Sequence, residues 1–121
     1  MNDIKLMNKA ADNIRILAAS MVEKAKSGHP GGAMGGADFV NVLFSEFLVY
    51  DPKNPAWEGR DRYFQDPGHM SPMLYSVLAL AGKFTIDELK EFRQWGSVTP
   101  GHPEVNVMRG IENTSGPLGQ G

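Results

Sequence analysis

The chain contains three histidines, and each one follows a glycine: KSGHPGG at residues 26–32, DPGHMS at 66–71 and TPGHPE at 99–104. Imidazole titrates near neutrality, and its two nitrogens can donate and accept in one reaction. Glycine beside it lets the backbone approach a ligand or turn left-handed. Proline, which follows both His29 and His102, stiffens the turn. Such loops hold an imidazole ready for three tasks: moving a hydroxyl proton, stabilising oxyanion charge, or meeting a phosphate oxygen. His69 suits the last task best, because its loop opens onto an expected helix start. A single loop histidine is more often structural; three in the same Gly-His setting put the catalytic reading on an equal footing. Metal binding is the weaker rival. The spacings of 40 residues (69 − 29) and 33 residues (102 − 69) fit no local zinc pattern, and there is no cysteine to assist. No metal ligand is assigned.

A fourth stretch, GPLGQG at 116–121, is a glycine-rich loop ahead of a possible helix. Such loops can lay backbone groups against a cofactor. It is no Walker loop, since no Gly-Lys-Ser or Gly-Lys-Thr follows. It is no dinucleotide fingerprint either, since VMRGIENTS before it is not a strand. Taken alone it fits a structural turn equally well.

The elements that must position these loops follow from periodicity. Ile4, Met7, Ala11, Ile14, Leu17, Ala18, Met21, Val22 and Ala25 recur at helical spacing over 3–26, with Gly28 the expected left-handed cap. A second helix is expected over 34–48, buried on most sides, with Gly35 and Gly36 tolerated because something packs closely on that backbone. RYFQ at 62–65 reads as a short strand. A third helix is expected over 71–81, stopped by Gly82. Thr85 to Glu88 carries a capping-box pattern for a fourth, which Gly96 ends. Phe39, Phe44, Phe47, Phe92 and Trp95 read as core, and Met70 and Met73 as packing. The expected fold class is α/β: the front part of a larger domain, mostly helical in this stretch, with one short strand near 62–65.

The 121 residues are 41% hydrophobic and 21% charged, with a formal net charge of −2. That balance carries no nucleic-acid footprint. No stretch reaches the length of a membrane span, and no signal-peptide pattern opens the chain. Without cysteines a disulfide framework is excluded, and the cytoplasm is the default expectation.

Taken together, SGHPGG, RDRYFQDPGHMSPMLYSVLALAG, ELKEFRQWGSVTPGHPE and ENTSGPLGQG resemble the amino-terminal part of the transketolase family, in order and over nearly the whole chain. The related deoxyxylulose-phosphate synthase shares the general plan; TPGHPE and Gly110-Ile111-Glu112 favour transketolase. The resemblance implies an amino-terminal part, residues 1–121, of a thiamin diphosphate-binding domain that continues beyond them. It implies transfer of a two-carbon ketol unit from a ketose phosphate to an aldose phosphate, in a homodimer, with thiamin diphosphate and Mg2+ or Ca2+. His29 and His102 would serve catalysis and the donor sugar. His69, Gly116, Pro117 and Leu118 would bind the cofactor. Many family members have Asn-Gly-His-Gly-Ser around the middle histidine, where this chain has Pro67-Gly68-His69-Met70-Ser71. The family's Gly-Asp-Gly cation segment, its later asparagine and the glutamate that activates the aminopyrimidine have no counterpart here. The 121 residues alone are therefore expected to be inactive and to work within the remainder of a transketolase chain. The alternative is a catalytically silent remnant or interaction module.

Overall fold

A stripe of Ala11, Ile14, Ala18 and Met21 gives the first helix one face to bury. In the computed structural model, which describes residues 2–116, this is α1, Ile4–Ala25, and none of those four side chains is more than 3% exposed. Asp3 caps it, its carboxylate accepting the Leu6 N–H at 3.0 Å. Ile4, at the head of the expected stripe, is exposed. The left-handed cap falls on Lys26, at φ 52°, two residues before the glycine expected to take it.

The expected helix over 34–48 starts earlier and is broken. Pro30 opens α2, Pro30–Gly35, as a residue with preset φ and no N–H to waste. Gly36, at φ −88° and ψ 0°, separates it from α3, Ala37–Val42. A π turn, Leu43–Phe47, closes with the Leu48 N–H donating to the Leu43 carbonyl at 2.8 Å. α3 faces α1 through Ala37, Val40 and Asn41, and the Asn41 amide donates to the Met7 carbonyl at 3.0 Å. The segment is not buried on most sides: Phe44 is in the core, but Phe39 is 65% and Phe47 70% exposed.

At the centre lies α4, Ser71–Leu80. Every residue from Ser71 to Leu78 is buried, and α1, α2, α3 and α5 all pack against it. Gly82 stops it at φ 80°. α5, Ile86–Lys90, has the full capping box: the Glu88 N–H donates to Thr85 Oγ1 at 3.1 Å and the Thr85 N–H to Glu88 Oε2 at 2.9 Å. Leu89 and Phe92 point inward as expected, whereas Trp95 is fully exposed. The helix stops at Lys90, and Gly96 instead serves a later turn at φ 75°.

The α/β expectation fails. Among the described residues there is no β-strand, and the only pairing of strand type is an isolated bridge between Asn106 and Ile111. Residues 62–65 are not helical, but no second strand lies beside them, and a ladder needs two. Side chains do the stitching instead. The Gln65 N–H donates to Asn113 Oδ1 at 3.1 Å, and the Asn113 amide donates back to the Gln65 carbonyl at 3.4 Å. Nearby, Arg60 holds Glu112 through Nε–Oε1 at 2.6 Å and Nη2–Oε2 at 2.9 Å. The described residues are thus mostly helical, with long loops tied down by polar side chains. No helix among them is long and apolar enough to cross a membrane.

Close packing explains Gly36 but not Gly35. A Cβ on Gly36 would lie 2.7 Å from Met73 Sδ, whereas one on Gly35 would meet nothing within 4 Å. In the full-length protein, Gly36→Ala should destabilise by about 1–3 kcal/mol through overpacking. Gly35→Ala should be neutral or stabilising by up to about 1 kcal/mol. Thermal unfolding of the two variants side by side checks the contrast.

Candidate functional site

His29 ends the turn that follows α1 and stands immediately before α2, in an extended conformation at φ −127°. The turn reaches that point through Gly28, at φ 129°, a region L side chains rarely adopt; a Cβ there would also press on Val22 at 3.1 Å and Phe92 at 3.2 Å. His69 lies in the short 3-10 turn Gly68–Met70 that leads into α4. What draws the two turns together is Gly32. A Cβ on it would lie 2.8 Å from Met70 Cγ, so the bare backbone of α2 rests on the side chain next to His69. The two imidazoles meet edge to face, centroids 4.7 Å apart and planes at 61°.

His102 arrives on a loop fastened along its length. Tyr75 Oη donates to the Pro100 carbonyl at 2.6 Å, and Ser71 Oγ to the Gly101 carbonyl at 2.7 Å. Thr99 Oγ1 donates to the Glu88 carbonyl at 3.0 Å. The Pro103 carbonyl accepts the Ser115 N–H at 3.0 Å. Burial first, then the charges of Arg93, His69 and His29, hold the His102 imidazole below its ordinary value. The three histidines, far apart in sequence, thus form one cluster: two rings in contact and the third within electrostatic reach.

The glycine-rich loop joins the same place. A Cβ on Gly68 would sit 2.8 Å from the Ser115 carbonyl oxygen and 2.9 Å from that of Gly116. Backbone at 115–116 therefore passes directly over the His69 turn, and Ser115 Oγ adds a bond to Asp66 Oδ1 at 3.2 Å. Gly116 has open space where its own side chain would be. Pro117 and Leu118 lie outside the described residues. Among the described residues no group of three His, Cys, Asp or Glu side chains has the arrangement of a metal site.

Sequence reasoning missed Arg93. It lines an open cleft with Ser27, Trp95, Gly101, His102 and Glu104. It also adopts a left-handed backbone at φ 62°, uncommon for a residue with a side chain. Nothing in FRQWG marks it, since an arginine after a buried phenylalanine reads as a solvated charge. Ser71 and Tyr75 were missed as polar anchors because they fall within an apolar helix pattern.

Residues 6–121 match the family described as transketolase, thiamine diphosphate binding domain. The chain belongs to the transketolase family. That decides between the two families the motifs suggested. It is 54% identical over 117 residues to the transketolase of Buchnera aphidicola subsp. Baizongia pistaciae, covering 96% of this chain and 18% of that one. Among solved structures, the Campylobacter jejuni transketolase superposes with a TM-score of 0.90 at 48% identity, covering 99% of this chain and 19% of that one. A Pichia stipitis transketolase in complex with sedoheptulose-7-phosphate gives 0.88 at 46% identity, covering 95% and 17%. The chain spans less than a fifth of the length of each of these transketolases.

The close approach at Gly68 makes a sharp test. Its neighbours there are backbone oxygens, which cannot swing away as a long side chain can. Gly68→Ala should displace the 115–116 loop and weaken thiamin diphosphate binding in the full-length protein by about tenfold or more, a change of about 1.4 kcal/mol. Gly35→Ala, in open space, should leave binding unchanged. Titration of the cofactor by calorimetry distinguishes them.

Proposed function

We propose that these 121 residues are the amino-terminal part of a thiamin diphosphate-binding domain in a homodimeric enzyme that transfers a two-carbon ketol unit between sugar phosphates. The observation that carries this reading is the convergence of His29, His69, His102 and the 115–116 backbone on one place. The family membership supports it. So does the sugar phosphate bound by the Pichia stipitis relative.

The residues suit an anionic, diphosphate-bearing cofactor. His69 stands at the approach to a ten-residue helix, whose start favours negative charge. The loop backbone beside it has a side-chain-free position at Gly116 with room around it. His69 and Gly116 would hold the cofactor, together with Pro117 and Leu118 beyond the described residues. Mg2+ or Ca2+ would come through residues outside this chain and neutralise the diphosphate. When bound, thiamin diphosphate supplies the electron sink for breaking a carbon–carbon bond. The chain's own part is proton handling and positioning. His102, kept neutral by its surroundings, can accept a proton from a donor-sugar hydroxyl and return it later. His29, in contact with His69, would hydrogen-bond the oxygen on which charge develops. The tight turns restrict both rings to one approach, which is where positioning adds to rate. A cytoplasmic setting remains the expected compartment.

In the full-length protein, His29→Ala and His102→Ala should each lower kcat/KM for a ketose phosphate donor by about 10²–10⁴-fold while cofactor affinity holds. His69→Ala should act mainly on cofactor affinity. Steady-state kinetics with cofactor titration separate the two patterns. Unchanged turnover in both variants would overturn the roles of His29 and His102, whereas absence of ketol transfer by the wild-type full-length protein would favour the remnant reading. The isolated 121 residues with added cofactor and Mg2+ should show no ketol transfer. The pH dependence has a definite sign. Protonated His102 cannot take a proton, and its value is lowered. The rate controlled by His102 should therefore persist as pH falls past the ordinary imidazole midpoint of about 6.5 and be lost only as pH falls through the lower midpoint of His102 itself. A rate–pH profile of wild type against His102→Gln reads this directly.

A further inference from the structure

Arg93 makes an unusual set of contacts for a charged residue beside a cleft. Its N–H donates to the Thr99 carbonyl at 3.0 Å, at the root of the His102 loop. Its Nη1 donates to Ser27 Oγ at 2.8 Å, two residues before His29. Between these ends the side chain lies flat on Gly101: a Cβ there would be 2.8 Å from Nε and 3.2 Å from Cζ. Nε itself is buried and finds no acceptor among the described residues. The residue also holds a left-handed φ of 62°, a strained conformation for a residue with a side chain. An unsatisfied buried donor and a strained backbone persist only where the surroundings impose them.

We propose that Arg93 is a positioning residue: laid on Gly101 and hydrogen-bonded to Ser27, it braces the His102 turn against the His29 turn and fixes the separation of the two imidazoles. No other described residue hydrogen-bonds to both turns: the Arg93 backbone N–H reaches Thr99 and its side chain reaches Ser27. Phe92, next in the chain, supports the same joint from inside, its ring packing under Gly28. The glycine of Gly101-His102 thereby acquires a second reason to be glycine, since any side chain would push the guanidinium away. The brace also has an electrostatic side. The titratable and charged groups around His102 are Arg93, His69 and His29, with Glu104 further along its own loop and Tyr75 reaching the loop from α4. Arg93 stands first among the charges that lower His102, so the brace also keeps the imidazole neutral.

This inference rests on the proposed role of His102, and the test separates the two. In the full-length protein, Arg93→Met should lower kcat/KM for the donor by about 10- to 100-fold, with cofactor affinity unchanged. The His102 midpoint should rise toward the ordinary imidazole value. That midpoint is read by NMR of 13Cε1-labelled histidine, the signal assigned by its loss in His102→Gln. Arg93→Lys keeps the charge but not the guanidinium that rests on Gly101 and reaches Ser27; it should lose rate while His102 still titrates low. Gly101→Ala leaves Arg93 intact but lifts it off the loop, and should reproduce the rate loss. If Arg93→Met does not fold, the lysine and Gly101 variants carry the test. Wild-type rates in Arg93→Lys and Gly101→Ala would overturn the proposal. A normal rate in His102→Ala, with the His102 midpoint still raised in Arg93→Met, would instead overturn the role of His102 and leave the brace in place.

Discussion

A helix buried around its whole circumference has no water to satisfy its polar side chains, and this constraint on α4 organises the rest. Ser71, Tyr75 and Ser76 are all within its buried run, and each must find an acceptor in the protein. Ser76 turns back to the Pro72 carbonyl of its own helix at 2.6 Å. Ser71 and Tyr75 reach outward and take the carbonyls of Gly101 and Pro100. The need to satisfy a central strut therefore pins the loop that carries His102. The same helix begins directly after His69. Two of the three imidazoles are placed by one element whose own position is set by apolar packing on four neighbours.

The glycines beside the histidines were readable in the sequence, but for a different approach from the one that occurs. Sequence logic assigns them to close contact with a ligand or to a left-handed turn. Gly28 does adopt positive φ. Gly32, Gly68 and Gly101 instead admit other parts of the protein: Met70, the 115–116 backbone and Arg93. What arrives at each is a tertiary partner distant in sequence, and no local spacing encodes it. This is also why Arg93 was invisible. Its importance lies in where its side chain ends, against Gly101 and Ser27.

Elsewhere the legible parts were those fixed by local chemistry. The Thr85 capping box and the Gly82 stop each depend on residues within a few positions of one another. The misread parts depend on partners. RYFQ has strand-forming composition, yet without a second strand its Gln65 backbone bonds an asparagine side chain instead. Phe39, Phe47 and Trp95 were read as core from their size, and all three are exposed. Apolar character says that burial is favourable, not which surface provides it. Phe44, three residues before Phe47, is buried in an edge-to-face cluster with Tyr50 and Tyr63. Within one short turn, the direction of each side chain decides between core and surface, and the π turn alters that direction from the one a regular helix would give.

The electrostatics of the cluster follow from the same packing. Charging His102 would add a cation beside Arg93, His69 and His29 in a partly desolvated loop, so the surroundings favour the neutral ring. A neutral imidazole is the form that can accept a proton. The arrangement thus sets both the place and the protonation state of the group by fixed neighbours rather than by an adjacent carboxylate. A carboxylate partner would instead favour the charged ring and raise its value. Arginine is suited to the opposite task because it stays charged across the working pH range and is planar enough to lie on a glycine. The proposed Arg93 brace on Gly101 is thus one of several neighbours that act on His102, beside the α4 hydroxyls that pin its loop and the burial that comes first in lowering its value.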